Sequence, residues 1–135
     1  MRFPIKITEN FLLEPVMHGF GVRTETSHVD LESDHLAVKM GAWFEERIPL
    51  AAIAAIAPSD WPWWGGLGVK LGHHGVAVVG SGDGIVNLKF KDKVRVHVVM
   101  NVSVEQMWLS MVDPTGFMQA VATATNLPVG PHTPF

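Results

Sequence analysis

A chain of 135 residues, 47% hydrophobic and 17% charged, is the size of one domain and apolar enough to build a core, which excludes a disordered segment. Its net charge of −3 with histidine neutral supplies no overall attraction to nucleic acid or to an anionic membrane. The lack of cysteine removes disulfides, thiolate catalysis and cysteine-ligated zinc, and no apolar run approaches the roughly 20 residues of a transmembrane helix.

Near the start, Arg2 and Lys6 are followed by Thr8, Glu9 and Asn10, and Pro4 lies between them. These residues interrupt any apolar stretch of the signal-peptide kind, so a cytoplasmic location is expected. The opening segment, which carries Pro4 and Pro15, is expected to run extended along the outside of a sheet. Period-two alternation then dominates. Phe20 and Val22 are apolar at even positions, Val29 and Leu31 at odd ones, so a bulge or a second strand must intervene. Glu32-Ser33-Asp34 reads as a turn. Leu36, Val38 and Met40 oppose His35, Lys39 and Gly41; after a turn at Gly41-Ala42, Phe44, Ile48 and Leu50 oppose Glu45 and Arg47. This is a strand pair whose register is set by one buried face.

Leu67, Val69 and Leu71 alternate with glycine and Lys70. Gly72-His73-His74-Gly75 reads as a hairpin tip, with Gly75 suited to a positive φ, and Val76 to Val79 as the return strand. Gly80 to Gly84 is a turn: it lacks the lysine and the following helix of a phosphate-cradling loop. The strongest alternation puts Val86, Leu88, Phe90, Val94, Val96, Val98 and Met100 on one side. Asn87, Lys89, Lys91, Lys93, Arg95 and His97 take the other. Asp92 interrupts the apolar set, so Lys91-Asp92-Lys93 reads as a turn or strong bend, with one long twisted strand as the alternative. Residues 104–112, with Trp108, read as the last strand. A helix follows, capped by Asp113 with Pro114 at its first position. Phe117, Ala120, Val121 and Ala124 form its apolar stripe, and Asn126-Leu127-Pro128 ends it.

Several stretches, in this order and spacing, carry a family likeness. They are Val29-Asp30-Leu31 through Val38-Lys39-Met40-Gly41, Arg47-Ile48-Pro49-Leu50-Ala51-Ala52-Ile53, Gly66-Leu67-Gly68-Val69, Gly84-Ile85-Val86-Asn87-Leu88, and Leu109-Ser110-Met111-Val112-Asp113-Pro114 leading into Gly116-Phe117. Over roughly residues 18–125 the chain resembles the bacterial pleckstrin-homology-like (PH-like) domains, in particular small actinobacterial proteins of that type. The resemblance implies a mainly β fold: a bent antiparallel barrel of about seven strands, open at one corner and capped by one C-terminal α-helix. It divides the chain into an extended segment (1–17), the PH-like barrel with its helix (18–125) and a proline-rich tail (126–135). It implies a module that binds or assembles, with no catalysis and no cofactor. Eukaryotic members often hold phosphoinositides with basic residues around the first strand-to-strand loop. Here that loop is the acidic Glu32-Ser33-Asp34, which disfavours that route.

Four features compete for a functional role. Trp61, Trp63 and Trp64, in the run Trp61-Pro62-Trp63-Trp64, offer large amphipathic rings for a partner or a membrane interface. Alternatively, they fold back to cover the open end of a small barrel, since rings exposed together are a liability. His73 and His74 would need a third ligand to hold a metal; otherwise they are solvated turn residues. Lys89, Lys91, Lys93 and Arg95 form a basic stripe that either contacts phosphates or is a solvated sheet face that discourages edge aggregation. Ser27, His28 and Asp30 are close in sequence, but a catalytic triad is assembled in space, and His18, His35, His97 and His132 form no metal-binding spacing.

Three functions follow as expectations. The first is a non-catalytic interaction or scaffold module that pairs with itself or a protein partner through strand edges or the tryptophan loop. The second is a small barrel holding a lipid or apolar ligand. The third, least favoured, is a metal-dependent enzyme. No nucleic-acid partner is expected, and a lipid or membrane surface has no specific support.

Overall fold

The computed structural model describes residues 1–7, 27–41, 44–62, 68–72, 74–98 and 100–135. The first sheet contains β1 (Arg2–Pro4), β2 (His28–Leu31), β3 (His35–Met40) and β4 (Phe44–Pro49), in that order and antiparallel throughout. The β3–β4 register, from His35 opposite Pro49 to Met40 opposite Phe44, buries Leu36, Val38, Met40, Phe44 and Ile48 together, as the alternation requires. A 3-10 turn at Leu50–Ala52 leads to the second sheet. This comprises β5 (Ile53–Pro58), β6 (Gly68–Gly72), β7 (Gly75–Val79), β8 (Ile85–Val98) and β9 (Met100–Ser110), ordered β5-β8-β9-β7-β6. Helix α1 (Pro114–Thr125) closes the fold.

The mainly β class with a C-terminal helix is therefore observed. Its details differ from the implied barrel: nine strands are described, they form two sheets with no closed barrel, and β7 runs parallel to β9. β5 occupies the outer edge of β8, and the β6–β7 hairpin extends the sheet on the opposite side through β9.

The core lies between the sheets and under the helix. Phe117, Leu36, Ile48, Leu88, Met107 and Leu109 fill it with no measurable exposure. The Phe117 ring meets Phe3 edge-on at 5.3 Å. Asp113 caps α1 by accepting from the Gly116 N–H at 3.0 Å. The buried stripe of α1 is Phe117, Met118 and Val121. Ala124 is exposed and Met118 takes its place, because Met118 offers far more apolar surface to the core.

The N-terminal segment begins as the edge strand of the first sheet. β1 pairs with β2, then the chain crosses to the other sheet, where Ile5 bridges Met111 and Ile7 bridges Gly80. Phe3 and Ile5 are buried as a result. The fully buried Ser110 locks this crossing: its hydroxyl donates to Lys6 O at 2.8 Å and accepts from the Gly80 N–H at 2.9 Å. The C-terminal tail also returns. Val129 and Thr133 bridge in parallel to Ile56 and Ser59, covering the edge of β5.

At the β6–β7 hairpin tip, the positive φ belongs to His74 (59°) and not to Gly75. Gly75 is required for a different reason. A Cβ there would lie 2.6 Å from the Trp108 ring and 2.8 Å from Gln106 O. Leu71 is 46% exposed, although the alternation placed it with the buried set, because β6 is the last strand of its sheet.

Candidate functional site

Two places on the second sheet combine unusual residues with unusual geometry. The first is where β8 bends. Its pairing with β9 is regular up to Lys89 opposite Gln106 and resumes at Val94 opposite Val104. Between these points β8 has residues 90–93 and β9 only Glu105, so β8 must arch outward. The interruption expected at Lys91-Asp92-Lys93 is thus a bulge within one long strand. Beyond it the β8–β9 arm reaches the first sheet, where the His97 N–H donates to Glu46 Oε1 at 2.6 Å.

The arch creates an open groove of about 530 Å³ lined by Lys89, Phe90, Lys91, Asp92, Lys93, Glu105 and Gln106. Phe90 is anchored in the core at 8% exposure, and its backbone is the last β8 position paired with β5, at Ile53. On the facing wall, the Glu105 N–H donates to His74 O at 2.7 Å. Three of the four stripe residues therefore converge on one groove, while Arg95 lies beyond it. Phe90, Asp92, Glu105 and Gln106 were not identified from the sequence. Asp92 left a trace as the break in the apolar parity, whereas Glu105 and Gln106 belong to a strand whose pairing the sequence does not reveal.

The second place is the outer face of the same sheet. Ala77, Val79, Ile85 and Trp108 are buried there. Trp61 packs against Trp108 with ring centroids 6.2 Å apart, and Phe135 contacts both rings at 5.3 Å. Trp61 therefore folds back onto the sheet. The tail that brings Phe135 is held by His132 Nε2 at 2.9 Å from Asp60 Oδ1. Trp63, Trp64, His18 and His73 lie outside the described residues.

The remaining polar features have local work. The Ser27 hydroxyl is buried and accepts from the Gly41 N–H at 3.3 Å. Asp30 holds the Arg2 guanidinium through two contacts at 2.8 and 3.1 Å, which pulls its carboxyl below the usual range. His28 Nε2 is 3.6 Å from that carboxyl. Among the described residues, no group of three or more His, Asp or Glu is placed to hold a metal ion. None of the described helices is long and apolar enough to cross a membrane.

Burial lowers the His28 pKa, with the Arg2 charge acting the same way and Asp30 opposing both. The folded state therefore favours neutral His28, and on acidification the unfolded chain takes up this proton first. The associated stability is present above the ordinary histidine value of about 6.5 and is lost as pH falls through the folded value. Urea unfolding midpoints are accordingly expected to fall on acidification from neutral pH, with His28→Gln flattening part of that slope. Superimposable pH profiles for the two chains would contradict this assignment.

No protein-family model, curated protein or solved structure matches the chain.

Proposed function

We propose that this chain is a non-catalytic interaction module of the PH-like type that pairs with a second copy of itself through the outer edge of β6. The PH-like reading is supported by the antiparallel four-stranded sheet, the second sheet against it and the terminal helix. The parallel β7–β9 pair departs from the implied antiparallel arrangement.

The observation that carries self-pairing is Leu71, 46% exposed on a terminal strand. Among the described residues, the tail takes the edge of β5 and residues 110–112 lie against the N-terminal segment, whereas no described strand pairs with the outer side of β6. Along β6, Gly68 and Gly72 have open space where a side chain would project. An unpaired strand edge is a template for another strand. An antiparallel β6–β6 pair with Leu71 opposite Leu71 places Lys70 opposite Gly72. This register avoids the like-charge pairing that Lys70 opposite Lys70 would create. So short an edge buries little area, and the association is transient.

Sedimentation velocity over a wide concentration range is expected to show the mass rising toward that of a dimer. Leu71→Lys, which sets two charges face to face, is expected to remain monomeric. A wild-type chain that stays monomeric at the highest concentrations would refute the reading.

A further inference from the structure

We propose that the groove at the β8 arch binds a small phosphate ester bearing free hydroxyl groups, with Lys89, Lys91 and Lys93 contacting the phosphate and Asp92 and Glu105 accepting from the hydroxyls. This goes beyond self-pairing and uses a different surface, so either can fail alone.

The groove volume of about 530 Å³ lies within the range of about 300–1,000 Å³ for small-ligand sites. Three lysines line it, and their side chains make no ion pair or hydrogen bond with any described residue. Alternation along a flat strand would spread them at a two-residue spacing. The arch instead turns them, with Asp92, around one concavity. Bulges recur where a strand must re-aim its side chains. The support is firm: Phe90 is fixed in the core, and pairing resumes at once with Val94 opposite Val104.

The two carboxylates select the ligand. Three lysines against Asp92 and Glu105 leave a net charge of +1 in the groove, too little for a long polyanion on a chain of net charge −3. A bare phosphate would face carboxylate repulsion. A phosphorylated polyol satisfies both sets, because its phosphate accepts from ammonium groups while its hydroxyls donate to carboxylates. The Gln106 side chain beside them is already engaged, its Oε1 accepting from Asn87 Nδ2 at 3.3 Å.

Calorimetric titration of the full chain at low salt tests this with glucose 6-phosphate, glucose and inorganic phosphate. A parallel arm uses phosphatidylcholine vesicles with and without phosphatidylglycerol, whose headgroup offers the same chemistry from a lipid. Glucose 6-phosphate is expected to saturate and glucose not to bind. The double variant Lys91→Ala/Lys93→Ala is expected to weaken the phosphate ester roughly tenfold or more. Glu105→Gln is expected to act in opposite directions, tightening inorganic phosphate and weakening glucose 6-phosphate. Leu71→Lys is expected to leave binding unchanged. Binding to phosphatidylglycerol vesicles alone, lost in the lysine variant, would assign the same site to a lipid headgroup. The proposal is overturned if no phosphate-bearing probe saturates, if the lysine variant binds as tightly as wild type, or if Glu105→Gln shifts both free ligands the same way.

Discussion

Phe117→Ala is expected to destabilise the fold by about 3–5 kcal/mol, the range for emptying a fully buried aromatic site. Phe117 comes from the only part of the described chain that is helical beyond a single turn. Its ring is fully buried and stands edge-on to Phe3 at 5.3 Å. Phe3 belongs to β1, so the contact joins the last element to the first. The surrounding strands are tied into hydrogen-bonded ladders and have little freedom to collapse into the cavity. Against a typical total of about 5–15 kcal/mol, the loss is a large fraction. Thermal unfolding followed by circular dichroism is expected to show a midpoint lower by roughly 10–20 °C. A shift of only a degree or two would mean that α1 is dispensable to the core.

Gly84→Ala is expected to cost about 2–6 kcal/mol from two sources. Gly84 has φ 68°, where a side chain costs about 1–3 kcal/mol. A Cβ would also lie 2.3 Å from Met111 O, and relieving such overpacking costs about 1–3 kcal/mol more. The obstacle is backbone, so no rotamer change removes it. Gly84 O accepts from the Met111 N–H at 2.8 Å, and Met111 in turn bridges Ile5. Separating Gly84 from Met111 therefore loosens the seam between the N-terminal segment and the second sheet. Gly82 is the internal control, with nothing within 4 Å of its added Cβ. Urea unfolding of both variants checks this. Equal midpoints for Gly82→Ala and Gly84→Ala would remove the steric argument.

The sequence was readable where a strand has one wet and one dry face. Leu36, Val38 and Met40 against Phe44 and Ile48 are such a case, and both the elements and the buried set follow from period two. In the second sheet this signal fades because both faces are covered. Ala77, Val79 and Ile85 are buried on the side opposite Val76, Val78 and Val86, so neither parity is polar. Strand neighbours are harder still: nothing in Val76 to Val79 indicates that they will lie parallel to residues 106–109. Leu71 was misplaced for the related reason that being at an edge is a property of the whole sheet.

The candidate sites were readable in the same uneven way. Lys89, Lys91 and Lys93 stood out as a stripe, and Asp92 as an interruption. That the interruption is an arch which gathers the lysines depends on four residues of β8 facing one of β9, a mismatch that only pairing reveals. Trp61 stood out by composition, but its contacts Trp108 and Phe135 are far apart in sequence. His74 and Gly75 exchanged roles because the requirement at Gly75 is set by the Trp108 ring and the Gln106 backbone, not by the turn.

The seam at Lys6 and Ser110 has a kinetic consequence. Lys6 N–H donates to Ser110 O at 2.8 Å across 104 residues of chain. Neither end of that contact can form early, because loop closure over such a length must be repaid by strands already in place. The N-terminal segment is therefore among the last pieces to dock. Until it does, the edges that it joins are expected to stay open to neighbouring molecules.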